Sequence, residues 1–362
     1  MKTKIIVVSF FPVYPVTFGS SVVISSFFEN IPFKNKTLYQ LSSTKIKDSK
    51  KIKNIFAHNK IKFLKFIAVL KLIKKIFFDL YNSKKNNLVF IEGASWIGYS
   101  FILILVIKFF FWKVKVIYRG HSIEYEIRKK NSNFLISSLS FFFEKFVYKN
   151  SYISTSVSNL EKQKVKKLYG INTLIFPNII KFYNKKKIKS EFKKKYIFYS
   201  GSYEYIPNKK AIDRLFFEIM PKLHKENPHI QLILTGSRKI PHKAVWLKNL
   251  GLISKNRYLN ILRNSICLIV PTNEGYGTRV KIIEALCYGA VVVSTKIGIE
   301  GIEFQKNYPP PFKCSSDKSF IKTIIMLTKS KKYKKIATKN KKFYIQNYSA
   351  KQKTMAFMRE IL

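Results

Sequence analysis

The sequence predicts an α/β protein built as two parallel-sheet domains, and three observations carry that prediction. Short, almost wholly apolar runs such as Ile5–Phe10 and Ser265–Val270 read as strands buried on both faces, as in a parallel sheet. Such runs lead into glycine-bearing loops and then into segments of helical spacing, so strand and helix alternate. The 362 residues are also long for a single hydrophobic core, so two domains are expected. Hydrophobic content of 47% is ample for folding.

Taken in order, Ile5–Phe10 is the first strand. Lys2–Lys4 before it imitates a signal peptide, but Pro12 and Pro15 follow at once and no Ala-x-Ala site appears, so a buried strand is expected. Phe11–Ser21 is a loop carrying Gly19-Ser20-Ser21, and Val22–Glu29 begins a helix. Ile61–Leu80 reads as a long helix. Its lysines do not collect on one narrow face, as they should on a membrane-lying helix. Leu88–Ile91 is a strand, followed by Glu92-Gly93. Trp96–Trp112 is nearly all apolar but falls at the short limit of the ~20 residues needed to cross a bilayer, so a buried helix with an exposed apolar end is expected. Lys115–Tyr118 is a strand leading into Arg119-Gly120-His121, and His121 lies just past a strand end, where open α/β sheets bind ligands. A loop histidine capping the next helix is the plainer alternative. Asn150–Ser158 reads as a strand, Asn159–Tyr169 as a helix ending at Gly170, and Thr173–Phe176 as a strand. The lysine-rich 181–195 reads as a linker.

Tyr196–Ser200 opens the second domain, with Gly201-Ser202 and then Pro207-Asn208. Ala211–Asn227 is an amphipathic helix stopped by Pro228. Gln231–Thr235 and Gly251–Ile253 read as strands, and Tyr258–Asn264, Phe320–Lys329 and Lys339–Met358 as helices.

Pro271–Thr295 holds the clearest chemistry. In the loop Asn273–Gly277, Gly275 and Gly277 let the backbone approach a ligand closely. Thr278–Tyr288 has helical spacing, with Val280, Ile283 and Cys287 on one face, and Gly289 can end it in the left-handed conformation. Val291–Ser294 starts the next strand. The helix N-terminus therefore points at the glycine loop, where it favours an anion. Arg279 and Lys281 sit in the first turn against the dipole, a conflict that a bound phosphate removes. By that argument, losing Arg279 leaves the empty protein equally stable or slightly more so. Glu284 is placed to accept hydrogen bonds from a ribose diol. The same residues also fit a plain βαβ unit with a Lys281–Glu284 surface pair and an Arg279 that bridges to Glu274 or Glu303.

This stretch resembles the donor-sugar motif of the family-4, or group 1, retaining glycosyltransferases of the GT-B fold. Many members carry Glu-x7-Glu followed by Ala and Gly-x-Pro-Val-Val; a sub-group carries Gly-Gly-Gly-Thr-Arg-Leu-Lys-Ile-Leu-Glu-Ala. Gly277–Ala285, reading Gly-Thr-Arg-Val-Lys-Ile-Ile-Glu-Ala, is similar to the second form. Tyr276 stands where the common motif has its first Glu, and Ala290 replaces the usual proline. His121-Ser122-Ile123-Glu124-Tyr125 resembles the family's His-Asn-x-Glu-Tyr, with Ser122 for Asn. Pro177-Asn178-Ile179 is similar to the Pro-Asn-Gly passage that closes the family's first domain. Gly201-Ser202 and Pro207-Asn208 resemble the sub-group's Gly-Ser-Leu and Pro-Asn. Other members have an Arg and a Lys gripping the diphosphate where this chain has Ser202 and Pro207.

The resemblance implies two Rossmann-like parallel-sheet domains facing each other across a cleft. Residues 1–180 would be the acceptor domain, 181–195 the linker and 196–340 the nucleotide-sugar domain. Residues 341–362 would be a C-terminal helix packing back on the first domain. It implies retaining transfer of a sugar from a nucleotide-sugar to an acceptor hydroxyl. His121, Arg279 and Lys281 are then catalytic candidates, with His121 reaching the transferred sugar. Gly19, Gly201, Ser202, Gly277, Thr278, Arg279, Lys281 and Glu284 are donor-binding candidates. The nucleotide-sugar is a co-substrate; no resident cofactor and no metal are expected, and no Asp-x-Asp metal-binding motif is evident.

Charge bounds the partners. Lys+Arg number 68 against 19 Asp+Glu, a net +49 that attracts nucleic acid, anionic lipid or anionic substrates. Only eight of the 68 are Arg, and a chain rich in Lys, Ile, Asn, Phe and Tyr has A/T-rich codons, so genome bias supplies much of the lysine. The lysine runs lack an RNA-recognition signature or zinc-finger spacing, so nucleic acid is not the expected partner. A lipid-linked or glycan acceptor and an anionic membrane surface are, in cell-surface polysaccharide or glycolipid assembly. Cys267, Cys287 and Cys314, odd in number and in apolar settings, suggest free thiols in a reducing compartment. The expectation is a cytoplasmic protein, peripheral on the inner face of the cell membrane. The alternatives are a basic polyanion- or nucleic-acid-binding protein, a GT-B epimerase or phosphorylase, and an inactive paralogue, which Tyr276 and Ser122 allow.

Overall fold

The computed structural model describes residues 3–44, 46–58, 61–83, 86–184, 188–304, 311–329 and 333–362, the last range without the side chains of residues 333 and 334. Contacts divide the chain into two compact units, Met1–Lys181 with Ala350–Leu362, and Phe182–Ser349. Residues 185–187 of the expected linker lie outside the described residues. Residues further along that segment are tied to the second unit: Glu191 pairs with Arg257 at 3.0 Å, and Asn264 Nδ2 donates to the Ile188 carbonyl at 2.9 Å. The single helix expected over Lys339–Met358 is two helices parted at Ser349. Tyr333–Tyr348 belongs to the second unit and Ala350–Ile361 to the first.

The described strands of the first unit are β1 (Lys4–Ser9), β2 (Lys36–Ser42), β3 (Ile52–Phe56), β4 (Asn87–Gly93), β5 (Lys115–Gly120), β6 (Ile153–Ser156) and β7 (Leu174–Ile175). They form a parallel sheet in the order β3-β2-β1-β4-β5-β6-β7. Alternate residues of β1 serve opposite faces. Ile6 and Val8 pack with the helices Lys62–Tyr81, Ile97–Phe110 and Phe134–Asn150 through Leu72, Ile76, Ile104 and Val147. Ile5 and Val7 pack with Gly19–Asn30 and Ala350–Ile361 through Ile24, Phe27, Phe357 and Ile361. Covered on both faces, such a strand must be apolar throughout. The expected Asn150–Ser158 strand shortens to β6, because Asn150 ends the preceding helix.

The second unit holds β8 (Lys195–Ser200), β9 (Ile230–Thr235), β10 (Leu247–Asn249), β11 (Leu268–Val270), β12 (Val292–Ser294) and β13 (Phe312–Lys313) in the order β10-β9-β8-β11-β12-β13, also parallel. β10 replaces the strand expected at Gly251–Ile253. In both sheets the chain winds outward from its first strand and then returns to that strand's other side. The reversal falls between β1 and β4, and between β8 and β11. Open parallel sheets bind ligands at the carboxyl ends of strands at such switch points.

The expected Ala211–Asn227 helix runs as Ile206–Arg214, one wide π turn over Leu215–Ile219, and Met220–Glu226. Pro221 has no N–H to return to Phe217 and its ring would crowd that carbonyl in a regular helix; the wide turn relieves both. Among the described residues no helix is long and apolar enough to cross a membrane.

Candidate functional site

In the second unit the loop Pro271–Arg279 leaves β11 next to Gly201, which leaves β8, so the two glycine loops flank the switch point. The loop is tied down at several points. Arg214 Nη1 donates to the Pro271 carbonyl at 2.8 Å and to Asn273 Oδ1 at 3.0 Å, and its Nε donates to Asp317 at 2.7 Å. Thr272 Oγ1 donates to the Glu274 carbonyl at 2.6 Å. Thr295 Oγ1 donates to the Thr272 carbonyl and accepts the Gly298 N–H at 2.9 Å. Gly275 and Gly277 have φ of 140° and 63°, a region that favours glycine. A Cβ at Gly275 would also stand 2.5 Å from the Arg279 guanidinium.

Arg279 is the residue before the helix Val280–Cys287, and Lys281 is in its first turn. Arg279 Nη1 donates to the carbonyls of Tyr276 at 3.0 Å and Gly277 at 2.5 Å, and Nη2 donates to that of Ile297 at 3.5 Å. The guanidinium therefore closes its own loop. Glu274 pairs with Lys210 at 2.9 Å. Lys281 Nζ lies 4.3 Å over the Tyr199 ring and donates to Asn208 Oδ1 at 3.2 Å, an oxygen that also accepts from the Tyr199 hydroxyl at 2.9 Å. Burial, and then the neighbouring Arg279, push the Lys281 ammonium down to about 7. Gly201 makes room for this group: a Cβ there would meet the Asn208 amide at 2.6 Å. Its carbonyl accepts Ser237 Oγ at 2.9 Å; Ser202 follows, half-buried. Thr278 is buried at the turn into the helix. Glu284 is also buried, one turn beyond Lys281, and its carboxylate holds Lys255 and Tyr258. A ribose diol at Glu284 would have to share these partners.

The first unit builds a second polar group at the ends of β4 and β5. Glu92, fully buried, accepts from Arg119 Nη1 at 2.5 Å and lies 2.7 Å from His121 Nε2. Arg119 is held between the rings of Phe27, 3.9 Å away, and Phe176, 4.6 Å away. Burial alone would raise the Glu92 carboxyl, but the Arg119 charge and the His121 hydrogen bond outweigh it and hold it below the usual range. His121 does not cap the helix that follows it. Glu144 does, accepting the N–H groups of Glu124 and Tyr125, each at 2.8 Å, and the Tyr169 hydroxyl at 2.7 Å. Gly19 is the exposed first residue of the helix Gly19–Asn30, beyond the carboxyl end of β1.

Residues 194–329 match the family described as group 1 glycosyl transferases. They form a group 1 glycosyltransferase domain. No curated protein matches the sequence. Among solved structures, Anabaena HepE in complex with UDP and glucose is 9% identical with a TM-score of 0.70, over 99% of both chains. The N-terminal domain of Candida albicans trehalose-6-phosphate phosphatase is 11% identical with a TM-score of 0.71, over 99% of this chain and 96% of that one. An E. coli trehalose-6-phosphate protein bound with UDP-2-fluoro glucose is 9% identical with a TM-score of 0.67, over 99% and 98%. At such identities the likeness establishes the fold, which is GT-B, with two Rossmann-like parallel-sheet domains.

The glycosyltransferase domain thus brings Gly201, Arg279 and Lys281 together and adds Tyr199, Asn208 and Lys255, to which sequence reasoning assigned no role. The Pro207-Asn208 resemblance pointed at one of them. Glu92, Arg119 and Glu144 were also missed. Glu92 and Arg119 are the last residues but one of β4 and β5, and a charge near the carboxyl end of an otherwise apolar strand is the signal that would have found them.

Proposed function

We propose that the chain is a retaining glycosyltransferase that moves a sugar from a nucleotide-sugar to an acceptor hydroxyl. We place it in the cytoplasm, with a lipid-linked or glycan acceptor, in cell-surface polysaccharide or glycolipid assembly. The reading is carried by the start of the Val280–Cys287 helix in a group 1 domain, where Arg279 and Lys281 flank an anion-favouring N-terminus at the switch point. A nucleotide-sugar leaves a nucleoside diphosphate behind, and its departure needs positive charge and N–H groups where negative charge develops. Arg279, Lys281 and the first-turn N–H groups supply both, so the reading calls for no metal. Lys281, about half-protonated at pH 7 in the empty site, becomes fully protonated as the diphosphate arrives. Glu92 fixes the ring of His121, which the reading assigns to the transferred sugar.

HepE and the E. coli protein hold uridine nucleotides, so UDP and UDP-glucose are the first ligands to try. A thermal-shift panel of nucleotide-sugars, followed by an assay of nucleoside diphosphate release, tests the proposal. At about 100 times its Kd the cognate donor should stabilise the protein by about 2.7 kcal/mol. Release that depends on an acceptor supports transfer. Interconversion of the donor without acceptor marks an epimerase, and no shift with any nucleotide-sugar removes the reading.

A further inference from the structure

Three neighbouring helices, Lys62–Tyr81, Ile97–Phe110 and Phe134–Asn150, cover one face of the first sheet with their inner sides. A surface helix normally has one apolar stripe and a polar outer side. These helices are apolar on the outside as well. Along Lys62–Tyr81 an outward stripe of Phe63, Phe66, Leu70, Phe78 and Tyr81 follows the helical repeat. The next helix exposes Leu105, Phe109 and Phe110, and Trp112 follows it; Phe109 is 80% and Trp112 73% exposed. On the third, Phe134 is 86% exposed, with Phe142 two turns on. These segments hold nearly half of the large apolar side chains that the described residues expose. The rings on the first two helices touch one another: Phe77 lies 5.2 Å from Phe110, 5.0 Å from Phe111 and 5.9 Å from Phe78. On these two helices they make one surface rather than scattered exceptions, and the third helix lies beside the second.

The exposed charge that these helices carry is positive, with Asp48 at the edge paired to Lys75 at 3.2 Å. Lys71, Lys74, Lys108, Lys113 and Lys145 are exposed among the rings, with Lys113 5.0 Å over Trp112 and Lys74 5.9 Å over Phe78. The carboxylates of these helices are Asp79, paired with Lys4 at 2.5 Å, and Glu144, which is buried.

We propose that this face docks on an anionic lipid bilayer, the rings entering the boundary between headgroups and acyl chains and the lysines meeting the headgroups. Aromatic rings interleaved with long cationic side chains settle at that boundary. A second copy of the chain is the poorer occupant, because it would bring the same lysines against these. The inference rests on the glycosyltransferase reading for its purpose, which is to hold the enzyme beside a lipid-linked acceptor. Its test does not need that reading.

The test is flotation of the full chain, without donor or acceptor, on vesicles of phosphatidylcholine alone and of phosphatidylcholine with phosphatidylglycerol. Wild-type protein should float with the second and far less with the first. The variant F109S/W112S/F134S should lose at least about tenfold in partition. The variant K74Q/K108Q/K113Q should lose on the order of a hundredfold. Any protein of this net charge adheres to anionic vesicles, so K222Q/K225Q/K243Q on the second unit is the control, and it should float nearly as wild type does. Equal loss from the control, or undiminished flotation of the aromatic variant, overturns the proposal. If the aromatic variant melts lower than wild type, the lysine variant decides by the same criterion. A wild-type dimer that the aromatic variant dissociates overturns the lipid assignment in favour of self-association. Lost flotation with an intact nucleotide-sugar thermal shift removes this inference alone; the reverse removes the transferase reading alone.

Discussion

Arg279 donates to the carbonyls of Tyr276, Gly277 and Ile297, so the side chain proposed to grip a phosphate also holds its loop closed. Each such bond contributes about 1 kcal/mol net. The helix-dipole expectation that losing Arg279 is neutral or stabilising therefore gives way: Arg279→Ala should lower the melting temperature by a few degrees and remove most transfer. Arg279→Lys, a point charge without the planar fork, should recover part of the rate. Lowered stability with normal turnover would leave Arg279 only its structural role. Lys281 gives a pH signature. Its value of about 7 in the empty site must rise when a diphosphate binds, so binding takes up a proton above that pH and affinity should fall as pH rises through it. Titration calorimetry with UDP-glucose, whose two phosphates do not titrate in this range, would show this slope, and Lys281→Met should bind weakly with a flat profile; the same slope in the variant excludes Lys281 as its source. In the first unit, Glu92→Gln strands the Arg119 charge between two phenylalanine rings. Breaking a buried pair from one side costs about 3–5 kcal/mol. His121→Ala keeps that pair, so it should cost far less stability while removing transfer. Denaturant melts of both variants check the order.

At the scale of the element, the helix Glu124–Asn131 begins with no cap from its own preceding side chain and is capped instead by Glu144 from Phe134–Asn150. Burial pushes the Glu144 carboxyl up from 4.5 to about 7, against the pull of its hydrogen bonds from Tyr125, Tyr169 and Glu124. A folded value above the unfolded one means that the folded chain holds an extra proton between the two. Stability from this group is therefore full at low pH and falls as pH rises from 4.5 to about 7. The stability difference between wild type and Glu144→Gln should decline across that window, and a difference independent of pH would show that Glu144 does not titrate there. The π turn at Leu215–Ile219 answers to its own sequence in the same way, through Pro221.

For the whole molecule, the consequential crossing is the return of Ala350–Ile361 to the first unit, where Phe357, Met358 and Ile361 are buried with Ile5, Val7 and Phe90. Each such side chain stabilises by about 1.5–3 kcal/mol when fully buried. Deleting residues 350–362 should therefore destabilise the first unit by several kcal/mol while the second keeps its fold. Calorimetry should show the first unit's transition moving down and a nucleotide-sugar shift surviving on the other. A truncated chain that melts as wild type does would contradict the packing.

The sequence by itself determined what is local. The apolar runs of β1, β4, β5, β8 and β9 declare themselves because a strand covered on both faces has no polar side to show. Gly275, Gly277, Arg279 and Lys281 declare themselves because a loop and the helix it feeds are neighbours along the chain. The edge strand β3 escaped, since Lys53 and Asn54 break its apolar run and an edge position tolerates them. The tertiary structure decided what joins distant residues: Glu92 to Arg119, 27 positions on, and Asn208 to Lys281, 73 on. It alone put Lys255 on Glu284, and turned Phe63 and Phe134 outward. Periodicity reports that a side chain is apolar, and the hydrophobic effect that buries it has no direction. Which apolar residues are covered, and which charges meet, follow from strand order and helix packing, because these bring remote positions within the few ångströms over which a hydrogen bond or a ring contact acts.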